Sequence, residues 1–272
     1  MRFIMIMVIV ISHFEFLKQL PSIGLFYTKY IYNPSLAVNY FFLLSGFGMM
    51  LSNLKKYSFN ELKHPNASFC IKYGIRHIKK IYPVYLATII FGFSFKVFLI
   101  IYEHNISIKN FCFEVIKLAV NIPLLQSATC MLFFTHAYNG VSWFLSSLFL
   151  IYFISPLLIY ILRKSSKSIV TDILFIFFNI IFIILSIVFF EFLEIKIPHL
   201  NNLDGSPYAR VFFVLIGMNL GMLFYKLQNY SEKVSSITMT FAEIIISTLS
   251  TIYCLYRNSL PEGKYKYIID LS

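Results

Sequence analysis

Ile169-Val-Thr-Asp-Ile-Leu-Phe-Ile-Phe-Phe-Asn-Ile-Ile-Phe-Ile-Ile-Leu-Ser-Ile-Val-Phe-Phe-Glu-Phe-Leu193 is the stretch that decides the fold. It is a continuous apolar run, longer than the ~20 residues that carry an α-helix across ~30 Å of hydrocarbon. A membrane-spanning β-barrel is written in short alternating segments, so an unbroken run of this kind reads as helix. Runs of the same type lie on both sides of it. Upstream are Phe3–Leu17, Leu36–Leu51, Ile81–Tyr102 and Trp143–Leu162; downstream are Ala209–Tyr225 and Ile237–Tyr256. Lys96, inside the third run, has a stem long enough to snorkel its ammonium toward the membrane surface. The expectation is an all-α polytopic transmembrane bundle of about seven spans, forming a single domain over residues 1–272.

Composition agrees. Of 272 residues, 58% are hydrophobic and only 13% charged, and the mean hydropathy is +0.75. Soluble domains carry about a quarter charged residues, so too little polar sequence is left here to coat a soluble core. The formal net charge is +11. Its placement matters more than its size. Lys55, Lys56, Lys63, Lys72, Arg76, Lys79 and Lys80 face one acid, Glu61, between the second and third runs, and Arg163, Lys164 and Lys167 follow the fourth. Basic loops between apolar spans mark the cytoplasmic side. Because the clusters flank spans and no recognition module accompanies them, nucleic acid is excluded as a partner and the lipid bilayer takes its place.

With those clusters inside, the N-terminus is cytoplasmic, and loops 18–35 and 194–208 are external. Segment 103–142 begins and ends outside and is too short for two comfortable spans, so an interfacial or re-entrant helix is expected around Leu118–Phe134. The first run lacks a basic leader and a small-residue cleavage site, and reads as a retained span rather than a signal peptide. The chain enters that span at once and stops soon after the seventh, so it is expected to be either naturally short or a fragment of a longer protein. Cys70, Cys112, Cys130 and Cys254 show neither C-x-x-C spacing nor a metal pattern, and read as buried apolar thiols. No metal is expected.

Several polar residues could carry chemistry. Arg2 and His13 are eleven positions apart, which at ~100° per residue leaves ~20° after three full turns. On a regular helix they share a stripe, ~16 Å apart along the axis. An arginine at the rim suits phosphate, and a neutral imidazole within a span suits removal of a proton from a hydroxyl. The alternative is an interfacial histidine anchored by Glu15 and Lys18. Arg76, His77, Lys79 and Lys80, leading into Ile81-Tyr82-Pro83-Val84-Tyr85, are either topogenic charge or a phosphate site. Ser45-Gly46 is a small pair that permits close helix packing. Trp143, the only tryptophan, suits an aromatic belt. His136 lies in the external region. Arg210 opens a span from outside, against the positive-inside trend, which favours a structural or functional partner for it.

Five blocks in order together resemble the acyltransferase-3 family of membrane O-acyltransferases. They are Arg2-x10-His13; Asn39-Tyr-Phe-Phe-Leu-Leu-Ser45-Gly46-Phe47; Arg76-His-Ile-Lys79-Lys80-Ile-Tyr82-Pro83-Val-Tyr85; Ser142-Trp143-Phe-Leu with Tyr152 and Pro156; and Pro207-Tyr-Ala-Arg210 running into Gly217-Met218-Asn-Leu-Gly221. The resemblance implies a cytoplasmic acyl-CoA donor, usually acetyl-CoA, and an acceptor hydroxyl on a carbohydrate. It implies His13 as the catalytic histidine and Arg2 and Arg76 as donor-binding residues, with Lys79 or Lys80 in place of a second family arginine. Ser45, Trp143 and Arg210 would support the substrate or the structure. Two departures stand out: the lysine keeps charge but loses bidentate phosphate recognition, and Leu148 occupies the place of a glutamate common after the family tryptophan. Members also carry a short lead before the arginine and further spans beyond this chain's last. The expected activity is acyl transfer to a cell-surface or exported polysaccharide at the plasma membrane. The rivals are a transporter or flippase for polysaccharide or lipid-linked sugar, and an inactive truncated acyltransferase.

Overall fold

The computed structural model describes residues 2–21, 23–28, 34–57, 64–102, 107–197, 199–203 and 205–228. The described residues form α1 (Arg2–Ser12), α2 (Gly24–Phe26), α3 (Ser35–Lys56), α4 (Ala67–Ile78), α5 (Tyr82–Tyr102), α6 (Ile108–Asn121), α7 (Leu132–Thr135), α8 (Trp143–Ser165), α9 (Ile169–Lys196) and α10 (Pro207–Gln228), with 3-10 turns at Glu15–Gln19, Gln126–Thr129 and Gly140–Ser142. Among them, helices α3, α5, α8, α9 and α10 are long and apolar enough to cross a membrane. The expected seventh run, Ile237–Tyr256, lies outside the described residues.

The deciding stretch is one helix. Ser168 opens α9 with a reciprocal capping box, its hydroxyl accepting from the Thr171 amide at 3.2 Å while its own amide donates to Thr171 Oγ1 at 3.0 Å. These bonds satisfy two of the amides that a helix start leaves unpaired. At 1.5 Å per residue α9 is ~42 Å long. Phe177, Phe182, Val188 and Phe192 are exposed along it. Such a face is stable only against lipid tails.

The tightest pair is α3 with α10. A Cβ built on Gly46 would overlap the Val214 carbonyl, and one built on Gly217 would overlap that of Leu43. The two backbones touch where side chains would have held them apart, which is what the Ser45-Gly46 pair predicts. Around this seam Phe42, Met50, Ile151, Val214, Met218 and Met222 form the buried core shared by α3, α8 and α10. Polar clamps hold its basic end. Arg163 donates to Asn53 Oδ1 at 2.6 Å and to the Tyr57 carbonyl at 3.0 Å, closing the end of α3. Lys226 meets Asp172 at 2.7 Å, tying α10 to the start of α9.

Three expectations change. The Phe3–Leu17 run is not one span: α1 stops at Ser12, and Glu15–Gln19 is a 3-10 turn. At ~1.5 Å per residue α1 covers ~16 Å, too little to cross. The longest helix described in segment 103–142 lies at Ile108–Asn121, upstream of the expected Leu118–Phe134, where a 3-10 turn at Gln126–Thr129 and the start of the short α7 stand instead. After it the chain turns through Leu124 and Cys130, both with positive φ, and its irregular backbone folds against α8. There the Ser127 amide donates to Ser146 Oγ at 3.1 Å and Ser146 Oγ to the Leu124 carbonyl at 2.7 Å. Non-helical backbone within a helical bundle is tolerated when protein satisfies it in this way. Finally, of the thiols read as buried, Cys130 is, Cys70 is half-buried and Cys112 is exposed on α6, while Cys254 lies outside the described residues.

Candidate functional site

A cavity of about 1140 Å³ separates α3 from α4, with α8 as its floor. Helix α4 forms one wall because of two local features. Asn66 caps it, its side chain accepting from the Phe69 amide at 2.9 Å. Gly74 lets it settle on α8, since a Cβ there would stand 2.9 Å from the Phe153 ring. The wall is then fixed by a three-ring stack: Tyr73 on His77 at 4.2 Å between centroids, and His77 on Tyr152 of α8 at 4.7 Å. Burial, and secondarily the neighbouring Tyr152, holds the Tyr73 phenol well above the usual tyrosine range, so it stays a neutral donor. At the mouth, His64 meets Tyr160 edge-on at 5.1 Å, and Lys164 lies 5.8 Å above the same ring.

The electrostatics of the cavity are one-sided. Lys56, Lys72 and Arg76 line it together with His64 and His77, and no carboxylate is among the described lining residues. Phe41, Leu44, Met49, Pro156 and Ile159 supply apolar surface between the cations. A low-dielectric cleft lined by one sign of charge focuses its field and concentrates counter-charged ligands. The arrangement suits a long anion with apolar parts.

Of the residues singled out in the sequence, Ser45, Arg76, His77, Tyr152 and Pro156 line the cavity. Ser45 also bonds the Phe41 carbonyl one turn back at 2.8 Å. Lys79 and Lys80 are exposed just beyond α4 and do not line it. Arg2 begins α1, and its side chain lies outside the description. His13 does not line the cavity either. It is an exposed turn residue immediately after α1, so the regular-helix stripe ends one position short of it. Its Nδ1 sits 2.7 Å from the Ile9 carbonyl. A carbonyl only accepts, so Nδ1 carries the proton and neutral His13 presents Nε2 as an acceptor.

Trp143 and Arg210 come together elsewhere. The Arg210 guanidinium bonds Asn39 Oδ1 and lies 5.6 Å from the Trp143 ring and 5.7 Å from that of Phe213. Trp143 is therefore packed on a buried cation, and Asn39 is a partner of the kind expected for Arg210. At 1.5 Å per residue Asn39 and Lys56 are ~26 Å apart along α3, so this cluster sits at the opposite end from the cavity mouth. Sequence reasoning named His77 only as one of the basic cluster with Arg76, and missed Lys56, Lys72, Tyr73 and His64 as parts of one site. The signal for two pairs was present: Lys72 with Arg76, and Tyr73 with His77, are spaced four apart and share a helix face.

Comparison with known proteins adds the family. A family model described as an acyltransferase domain, acyltransferase-3, matches residues 1–267. Neither the curated proteins nor the solved structures give a match. A match over nearly the whole chain, on a bundle of membrane-length helices with a cation-lined cavity, has one meaning: the chain belongs to the acyltransferase-3 family and is a membrane acyltransferase.

Proposed function

We propose that the protein moves an acyl group, acetyl in the simplest case, from cytoplasmic acyl-CoA to a hydroxyl of a cell-surface or exported polysaccharide. It would do so in the plasma membrane, with its N-terminus cytoplasmic. The observation that carries this reading is the cavity itself, basic along its length, apolar in patches and without a lining carboxylate. Acyl-CoA has matching parts in its phosphates and its uncharged arm. Arg76, Lys72 and Lys56 would hold the phosphates, with Arg2 as a further cation from α1. Lys79 and Lys80, exposed beside the cavity, would draw the donor in through their field.

The chemistry needs a base for the acceptor hydroxyl. His13 suits that role because the proton on Nδ1 is committed to the Ile9 carbonyl and Nε2 is left to accept. The acceptor oxygen attacks the thioester carbon as His13 takes its proton. The carbon–sulfur bond breaks, and the departing thiolate of CoA recovers the proton. His13 lies beyond the cavity, at the end of α1, so the donor's arm would carry the acyl group toward it from phosphates held at Arg76.

The test is acyl transfer from labelled acetyl-CoA by membranes holding the wild-type protein, His13→Ala or Arg76→Ala. Transfer by the wild type, lost in His13→Ala and weakened in Arg76→Ala, is expected. Equal transfer by wild type and His13→Ala overturns the role of His13. Glycan export by a wild-type protein that binds no CoA points instead to a transporter.

A further inference from the structure

His77 repeats the local geometry of His13 in a different field. Its Nδ1 sits 2.9 Å from the Tyr73 carbonyl, one helical turn back. That oxygen can only accept, so Nδ1 holds a proton in every charge state of the ring that keeps this bond. The exposed ring lies between those of Tyr73 and Tyr152, tilted by 35° and 31° to them. Its remaining nitrogen, Nε2, belongs to a residue of the cavity lining. In the neutral ring Nε2 is an acceptor, and only in the imidazolium is it a donor.

An ionised phosphate oxygen is also only an acceptor. A phosphate that enters the cavity and hydrogen-bonds Nε2 therefore requires a second proton on the ring. We infer that His77 is a phosphate-binding residue of the cavity and that it takes up one proton when a phosphate-bearing ligand binds. The inference rests on the cavity being the donor site. The charged and titratable groups that share the cavity lining with His77 are Lys72, Tyr73 and Arg76 on its own helix, Tyr152 and Tyr160 on α8, Lys56 and Tyr57 at the end of α3, and His64 ahead of α4. All are cations, phenols or imidazole. With the anion bound, the second proton gains a partner that the lining residues do not offer. The flanking tyrosine faces also favour a cation over a neutral ring.

Linkage turns this into a measurable slope. If the complex holds one proton more than its free components, affinity falls by up to tenfold for each pH unit. His13 carries the same Nδ1 bond, but the described cavity lining does not include it, so it gives no such slope.

The experiment is calorimetric binding of coenzyme A and dephospho-coenzyme A to the full chain in lipid nanodiscs, between about pH 6 and 8, in buffers of different ionisation enthalpy. Dephospho-coenzyme A keeps a fixed diphosphate charge over that range, so any proton taken up goes to the protein. The wild type should take up about one proton near pH 8 and bind several-fold more weakly there than at pH 6. His77→Phe keeps the ring stack, and His77→Gln keeps a donor. Both should bind with little pH dependence and without proton uptake, while His64→Gln retains the wild-type slope. Wild-type binding without proton uptake overturns the inference and leaves the cavity reading standing. Uptake that survives in both His77 variants, or that disappears in His64→Gln, also overturns it. Failure of the wild type to bind either nucleotide at any pH removes the donor site and the inference together.

Discussion

Gly217 of α10 meets Leu43 of α3 backbone to backbone: there is no room for even a methyl group between the Gly217 Cα and the Leu43 carbonyl oxygen. Gly46 stands in the same relation to Val214, so the two helices are locked at two points. Gly217→Ala and Gly46→Ala should each force the pair apart and destabilise the fold by about 1–3 kcal/mol. Gly48, where an added Cβ meets nothing within 4 Å, is the internal control, and Gly48→Ala should unfold like the wild type. Thermal unfolding in detergent checks this. Similar melting of all three variants would show that the seam does not hold the bundle together.

At the basic end, Arg163 and Asn53 join α8 to α3 beside the cavity at 2.6 Å. Arg163 is 2% exposed, so its guanidinium depends on protein partners. Asn53→Ala removes one of them and should cost about 1–3 kcal/mol, the penalty of leaving a buried donor unpaired. Asn53→Asp should fold and keep the bond in charge-assisted form. Asn53 also lines the cavity. The new carboxylate therefore weakens the positive field, and binding of an anionic donor should fall even though stability does not. Donor binding and melting measured on the same samples separate the two effects.

How much of this was legible in the sequence follows from the length scale of each signal. Helices α3, α5, α8, α9 and α10 are readable because an uninterrupted apolar run has few other stable forms in a membrane. The close seam was visible at Ser45-Gly46 because small residues carry their own packing consequence. The end of α1 was not visible. Phe14, Phe16 and Leu17 continue the apolar run past His13, yet Phe14 stands outside any helix and Phe16 and Leu17 in a 3-10 turn, and hydropathy does not register that change. Helix α6 was misplaced for the opposite reason. Lys109, Asn110, Glu114 and Lys117 interrupt its apolar residues, so it lacks the signature of a span. The cavity was the least legible feature. Its cations come from the end of α3 and from α4, and only the packing of α4 on α8 turns topogenic charges into a single lining. Arg76 was identified through resemblance, whereas Lys56 and Lys72 carried no separate mark.

Lys226 and Asp172 form a partly enclosed ion pair, with the Asp172 side chain fully buried and that of Lys226 19% exposed. Ser166 donates to Asp172 Oδ1 and accepts from Lys226 at 2.6 Å, so the pair also ties down the α8–α9 turn. Lys226→Met leaves the carboxylate without its counter-charge and should cost about 3–5 kcal/mol. Adding Asp172→Asn removes the stranded charge, so the double variant should recover much of that loss. Unfolding of the four proteins as a double-mutant cycle measures the coupling. A double variant as unstable as Lys226→Met alone would mean that Lys226 acts through its bonds to the Ser166 and Ser168 carbonyls rather than through the pair.

Arg76 offers the most direct reading of the cavity, because its exposure and position make its effect one of binding rather than folding. A guanidinium that holds phosphate in the ground state and the transition state alike lowers KM without raising kcat. Arg76→Ala should therefore raise KM for acyl-CoA by about 10- to 100-fold, the worth of one or two charge-assisted hydrogen bonds, with kcat within about twofold of wild type. Arg76→Lys should recover only part of the loss, since an ammonium keeps the charge but not the paired donors. Lys72→Ala, one turn away on the same face, should act in the same direction and more weakly. Lys96, exposed on α5 and away from the cavity, supplies the null comparison, and Lys96→Ala should leave KM unchanged. Added salt should raise the wild-type KM more than that of Arg76→Ala, because screening acts on the interaction that the variant has already lost. Steady-state kinetics at two ionic strengths decide the matter: a fall in kcat at constant KM would place Arg76 at the reacting atoms instead of at the phosphates.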